Sequence, residues 1–229
     1  MPESLFFYLL IILMPVAAFL YGSVGHGGAS SYITLLTLSG FAPQEIRPTA
    51  LLLNILVSGI AFYSFRKTNR FDLPLFFSLI IFSVPASYLG GTIHVDPYVY
   101  QKILGVLLLF PALKLCNIFP VHENKIIERS WWMAPALGLS IGMLSGMMGI
   151  GGGIILSPVL LLLGWTNMKE TAVISSIFIF LNSIAGFVAS KAWNLNMSSE
   201  IQILLPLTLA GGIAGAYLGA NKFNAPIMK

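Results

Sequence analysis

Residues 22–31 read Gly22-Ser-Val-Gly-His-Gly-Gly-Ala-Ser-Ser31, a glycine-dense polar stretch preceded by LFFYLLIILMPVAAFLY and followed closely by ITLLTLSGFA. Flexible backbone carrying a histidine therefore lies between two segments apolar enough to sit in hydrocarbon. At that depth, non-helical backbone needs protein or a water-filled cavity to satisfy its N–H and C=O groups, since each orphan costs several kcal/mol. The break must be internal, and the fold follows from how further helices gather around it.

Composition agrees. The 229 residues are 57% hydrophobic and 9% charged, with a mean hydropathy of +0.88, whereas soluble domains carry about 25% charged residues. Apolar runs near 5–21, 47–65, 73–91, 98–116, 131–148, 170–190 and 201–220 are each about long enough to cross ~30 Å of hydrocarbon. Shorter apolar arms fall at 29–42 and 153–165. The reading is an all-α, multi-pass protein of the cell's inner (plasma) membrane, with the lipid bilayer as one partner. Met1-Pro-Glu-Ser4 has no Lys or Arg ahead of the first run, so that run is expected to stay in the mature protein rather than act as a signal peptide. The net charge of +4 resides in loops, where orientation signals belong, which excludes a nucleic-acid partner.

The stretch at 22–31 has a second copy, Gly146-Met-Met-Gly-Ile-Gly-Gly-Gly-Ile-Ile155. An offset of 124 pairs Gly25 with Gly149, Gly27 with Gly151, Gly28 with Gly152, Gly40 with Gly164, Phe41 with Trp165 and Ala61 with Ala185. Later the offset becomes 129, and Tyr88-Leu-Gly90 meets Tyr217-Leu-Gly219. The chain thus divides into a first transmembrane repeat at 1–116, a polar linker at 117–130 and a second repeat at 131–229 that lacks a counterpart of the 98–116 run. If each glycine-rich element is a hairpin, nine of the 12 Lys and Arg lie on one side of the membrane against three; if each is a single bent pass, the split is seven to five. The positive-inside rule favours hairpins, and with them repeats inverted across the membrane.

Glycines without Cβ let a backbone or a ligand approach closely. Each break also precedes an apolar arm whose helix N-terminus carries roughly half a positive charge and suits an anion. Two breaks brought together would form a site for a small oxyanion from Gly25, His26, Gly27, Gly28, Ser30 and Ser31 on one side and Gly149, Gly151, Gly152 and Gly153 on the other. Asn54, Ser175, Ser176 and Asn182, on helices that follow the breaks, are expected to orient the anion. Ser157 is a weaker candidate, while Ser58 and Ser183 read as helix-packing hydroxyls. His26 has two readings. It is a proton-coupling group, as an intramembrane ionisable residue with an ordinary pKa near 6.5, or a neutral ring donating to a backbone carbonyl. Arg47, near a turn, either draws anions to a mouth or marks the interface.

Nothing indicates an enzyme or a cofactor. Neither Ser23 nor Ser145 sits in a nucleophile elbow, His26, His94 and His122 have no carboxylate cluster for a metal, and no phosphate-binding loop is present. Cys116 is the only cysteine and has no partner for an internal disulfide. A channel remains as an alternative, although the helices offer few polar residues to line one.

The doubled Gly-x-Gly-Gly element, the helices opening with Thr49-Ala50 and Thr171-Ala172, and Pro158, Ser175-Ser176 and Leu181-Asn-Ser-Ile-Ala-Gly186 resemble the TauE/SafE sulfite exporter family over nearly the whole chain. The resemblance implies export or exchange of sulfite, organosulfonates or related small anions, and a secondary transporter built of two repeats is expected to work by rocking one against the other around a central site. It admits coupled protons or sodium and a homodimer. His26 and the missing last helix depart from the family's usual pattern.

Overall fold

In a computed structural model, residues 4–67, 71–93, 102, 105, 131–191 and 197–222 are described. The 98–116 run and the 117–130 linker, with His94, Cys116 and His122, lie outside the described residues except for Lys102 and Gly105. The described residues form eight helices and no strand: α1 (Ser4–Ser23), α2 (Ala29–Leu38), α3 (Pro43–Arg66), α4 (Leu73–Thr92), α5 (Met133–Met148), α6 (Gly153–Leu162), α7 (Met168–Ala189) and α8 (Ser199–Asn221). Five of them, α1, α3, α4, α7 and α8, are long and apolar enough to cross a membrane.

Polarity is distributed as a bilayer demands. Ile12, Leu20, Phe77, Ile81 and Leu89 project outward, whereas Asn54, Ser58, Ser83, Ser87, Ser175, Ser176, Asn182 and Ser183 are wholly buried. Large apolar side chains such as Tyr32, Phe65 and Phe178 share the interior with them; in lipid, apolar side chains gain little by facing one another, so small and hydrogen-bonding groups add the specific contacts between helices.

The duplication extends to backbone geometry. Gly25 and Gly149 take φ of 81° and 72°, Gly28 and Gly152 take 89° and 77°, and Gly40 and Gly164 take 74° and 67°. Gly28 and Gly152 are the N-caps of α2 and α6. Both short helices end alike: Phe41 N–H donates to the Leu36 carbonyl and Trp165 N–H to the Leu160 carbonyl, each at 3.1 Å, around the left-handed Gly40 and Gly164. That is the six-to-one closure of a glycine-terminated helix.

The helix α2 folds back along α1. Tyr21 and Ser30 touch at the break while Leu13 and Leu35, each eight or five residues further on, still wall one common groove. The first glycine-rich element is therefore a hairpin whose second arm is short. Beyond it, α3 starts at Pro43, where a missing N–H costs nothing. In the other repeat, α7 starts with a capping box in which Asn167 Oδ1 accepts from Glu170 N–H and Glu170 Oε2 accepts from Asn167 N–H, both at 3.0 Å.

Helices of one repeat pack chiefly on helices of the other. The most extensive contacts are α4 with α5 and α1 with α8, followed by α3 with α7, and α3 touches α8 as α7 touches α4. Exchanging the repeats maps each of these pairs onto another or onto itself. Close approach rests on two glycine rows. On α5, Gly138, Gly142 and Gly146 abut the carbonyls of Leu79, Ser83 and Ser87 of α4; on α8, Gly211, Gly215 and Gly219 abut those of Pro15, Phe19 and Ser23 of α1. A Cβ at any of the six would overlap a carbonyl oxygen.

Candidate functional site

The two breaks meet at Asn54. Its Oδ1 accepts from Ala29 N–H at 3.1 Å, in the first turn of α2, and its Nδ2 donates to Ser183 Oγ on α7 at 3.0 Å. Gly27 packs on the same side chain from the first break and Gly151 from the second, the latter also against Ser183 and Ile179. A Cβ at either glycine would overlap the Asn54 amide. Across the junction, His26 Nε2 lies 3.2 Å from the Gly153 carbonyl and 3.0 Å from Ser157 Oγ, which lies 2.7 Å from Ser175 Oγ.

Among the described residues, the N–H groups of Gly27, Gly28, Gly151 and Gly152 are taken up by no hydrogen bond. The N-termini of α2 and α6, with their partial positive charge, begin beside these amides. A cavity of about 10 Å³ lies here, lined by residues 26–30 of the first break and by Tyr21, Asn54, Ile150, Ile154 and Ile179, so that Gly151, Gly152 and Gly153 do not border it. The cavity has room for about one water, so in this conformation Ile179 and Asn54 fill the junction. A wider groove of about 380 Å³ runs between α1 and α2, with Leu13, Val16 and Leu20 on one wall and Ser30, Ser31 and Thr34 on the other. Tyr21 and Ser30 border both spaces and are joined by a 3.2 Å hydrogen bond between their hydroxyls.

The remaining candidates divide. Gly25 packs on Ala172 at the start of α7 and Gly149 on the Arg47 side chain of α3, so both set the position of a break rather than line the cavity. Gly28 abuts Tyr32, Gly152 abuts Phe178 and Ile141, and Gly153 abuts Ile179. Ser31 faces the wider groove. Ser176 donates to the Val173 carbonyl of its own helix, and Asn182 donates to Ser83 Oγ of α4 and to the Phe178 carbonyl. Those two side chains are not brought to the junction.

Ser183, which reads in the sequence as a packing hydroxyl, is at the centre. Ile179 gives no signal, because an isoleucine in a membrane helix is ordinary. The offset of 124 places Phe178 opposite Asn54, so the duplication repeats the glycines and not the amide. Arg47 donates to the carbonyls of Gly91 at 3.1 Å and Gly146 at 2.5 Å. Its guanidinium thereby meets the C-terminal turns of α4 and α5, where a cation is favoured.

A family profile described as Sulfite exporter TauE/SafE matches residues 10–226. Three curated relatives are each described as a probable membrane transporter protein. One from Sinorhizobium fredii is 34% identical over 92% of this chain and 87% of its own length. One from Methanocaldococcus jannaschii is 27% identical over 80% and 73%, and one from Bacillus subtilis 25% identical over 94% and 90%. No solved structure matches.

Proposed function

From the premise that this chain belongs to the sulfite exporter TauE/SafE family and is a multi-pass membrane transporter, we propose that it is a secondary carrier of small anions, sulfite or an organosulfonate, bound where the two glycine breaks meet. The observation that carries this reading is the set of unclaimed N–H groups at Gly27 and Gly28, which line the cavity, and at Gly151 and Gly152, which precede α6, with the Asn54 amide packed between the two breaks. Donors held in place by glycine backbone favour an anion without a fixed counter-charge, and among the described residues no carboxylate lines the cavity to repel one.

The junction's small volume supports alternating access over a channel. A multi-atom oxyanion needs more room than one water, so Ile179 and Asn54 must part for it to bind. The packing also bears on which bodies move. The glycine rows lock α1 to α8 and α4 to α5 across the repeats, so rocking one whole repeat against the other would shear the closest backbone contacts in the protein. A motion that carries α1 with α8, or α4 with α5, past the α3–α7 pair leaves those contacts intact.

Uptake into proteoliposomes tests the reading. Labelled sulfite, taurine or methanesulfonate should enter saturably and exchange against unlabelled anion on the inside. Conductance that does not saturate, or no flux with any of the three, would remove it.

A further inference from the structure

The surroundings of His26 accommodate two protonation states. Its Nδ1 lies 3.2 Å from the Val24 carbonyl, and its Nε2 lies 3.2 Å from the Gly153 carbonyl and 3.0 Å from Ser157 Oγ. A carbonyl can only accept, and a neutral imidazole has one donor and one acceptor nitrogen. A neutral ring can therefore serve one carbonyl and must leave the other. With its proton on Nδ1 it donates to Val24, and Nε2 accepts from the Ser157 hydroxyl, which can itself accept from Ser175 at 2.7 Å. A protonated ring donates from both nitrogens, one to each carbonyl, and Ser157 turns its own proton toward Ser175.

Resting on the anion-carrier reading, we propose that His26 is a proton-binding site that couples transport to protons, and that Ser157 and Ser175 are the hydroxyl pair that adapts to its charge. One proton passes from water to Nε2; Ser157 keeps its own and only reorients, so no other group gains or loses one. The change moves His26's bond on α6 from the Ser157 side chain to the carbonyl of Gly153 in the first turn. It also places a positive charge beside the cavity where the breaks meet.

The groups that face the ring are Tyr21 from α1, its ring edge-on at 6.2 Å between centroids, the α6 and α7 hydroxyls already named, and across the cavity Ser30 of α2 and Asn54 of α3. None of these is charged, so the counter-charge to the imidazolium is left to the transported anion. Among the described residues, the Tyr21 phenol is the one other titratable group bordering the cavity.

The test reads the ring itself. In full-length protein labelled with 15N-histidine and reconstituted in lipid nanodiscs, with His94→Gln and His122→Gln leaving a single histidine, the neutral form should carry its proton on Nδ1, the minor tautomer in water. Acidification between pH 9 and 5 should protonate Nε2 in one step. Ser157→Ala removes a donor to the neutral ring and should raise the midpoint by about 0.5–1 pH unit. A neutral ring protonated on Nε2, or one that gains no second proton down to pH 5, overturns the proposal.

A second arm uses methanesulfonate, which has no titratable proton in this range, with a pH dye trapped in proteoliposomes. Protons should accompany the anion in the natural protein, and the number moved per anion should fall to zero in His26→Gln. Saturable methanesulfonate uptake by the natural protein without proton movement overturns the coupling and leaves the carrier. Absence of uptake counts against the carrier, and the ring titration still decides the proton site.

Discussion

At Asn54 one amide ties the first break to the second repeat, since its oxygen takes the first free N–H of α2 and its nitrogen binds Ser183 of α7. Asn54→Ala strands two buried groups and should destabilise the protein by about 1–3 kcal/mol, read as a lower thermal midpoint in detergent, and should raise the KM for sulfite. Ser176→Ala should be close to neutral in both measurements, because that hydroxyl only bonds back to its own helix. Ile179 offers a complementary change. Ile179→Val removes one methylene from the plug, costs about 0.5–1.5 kcal/mol, and should widen the range of anions that shift the thermal midpoint. The sequence exposes Asn54 because an amide at membrane depth demands partners. It does not separate Asn54 from Asn182, whose nitrogen donates to Ser83 of α4 and to the Phe178 carbonyl while its oxygen accepts nothing, because the choice depends on which neighbour each helix face meets.

Among the elements, the two glycine breaks are legible in the sequence, and the positive φ shared by Gly25, Gly28 and Gly40 with their counterparts 124 residues later follows that spacing, although Gly151 has a positive φ that Gly27 lacks. The partners of the glycine rows are not legible. Gly138, Gly142 and Gly146 recur at intervals of four, as a close-packing face should, but nothing in that spacing says that α4 of the other repeat will cover them. The distinction can be measured. Gly142→Ala would drive a methyl into the Ser83 carbonyl and should cost about 1–3 kcal/mol by forcing α4 and α5 apart. Gly186→Ala, in the interior of α7, would meet its nearest atom at 3.7 Å. It should be neutral or stabilising by up to ~1 kcal/mol through helix propensity alone. Equal losses at the two positions would show that the α4–α5 contact is not as tight as described.

For the whole molecule, the exchange symmetry of the helix contacts holds for parallel and for inverted repeats alike, so the proposed opposite orientation is decided by accessibility. Gln44 and Lys169 are each the second residue of their helices, α3 and α7. In a Cys116→Ser background, Gln44→Cys and Lys169→Cys should react with a membrane-impermeant thiol reagent from opposite faces of the membrane; labelling from the same face would make the repeats parallel. The glycine rows also set a condition on biosynthesis. The ribosome delivers α1 some 180 residues before α8, its partner along Pro15, Phe19 and Ser23, an interval of roughly 10–40 s at ordinary rates of synthesis. Through that interval the shallow ridge of α1 is left to lipid or to a membrane insertase, and the α1 face closes only when the last described helix arrives to cover it.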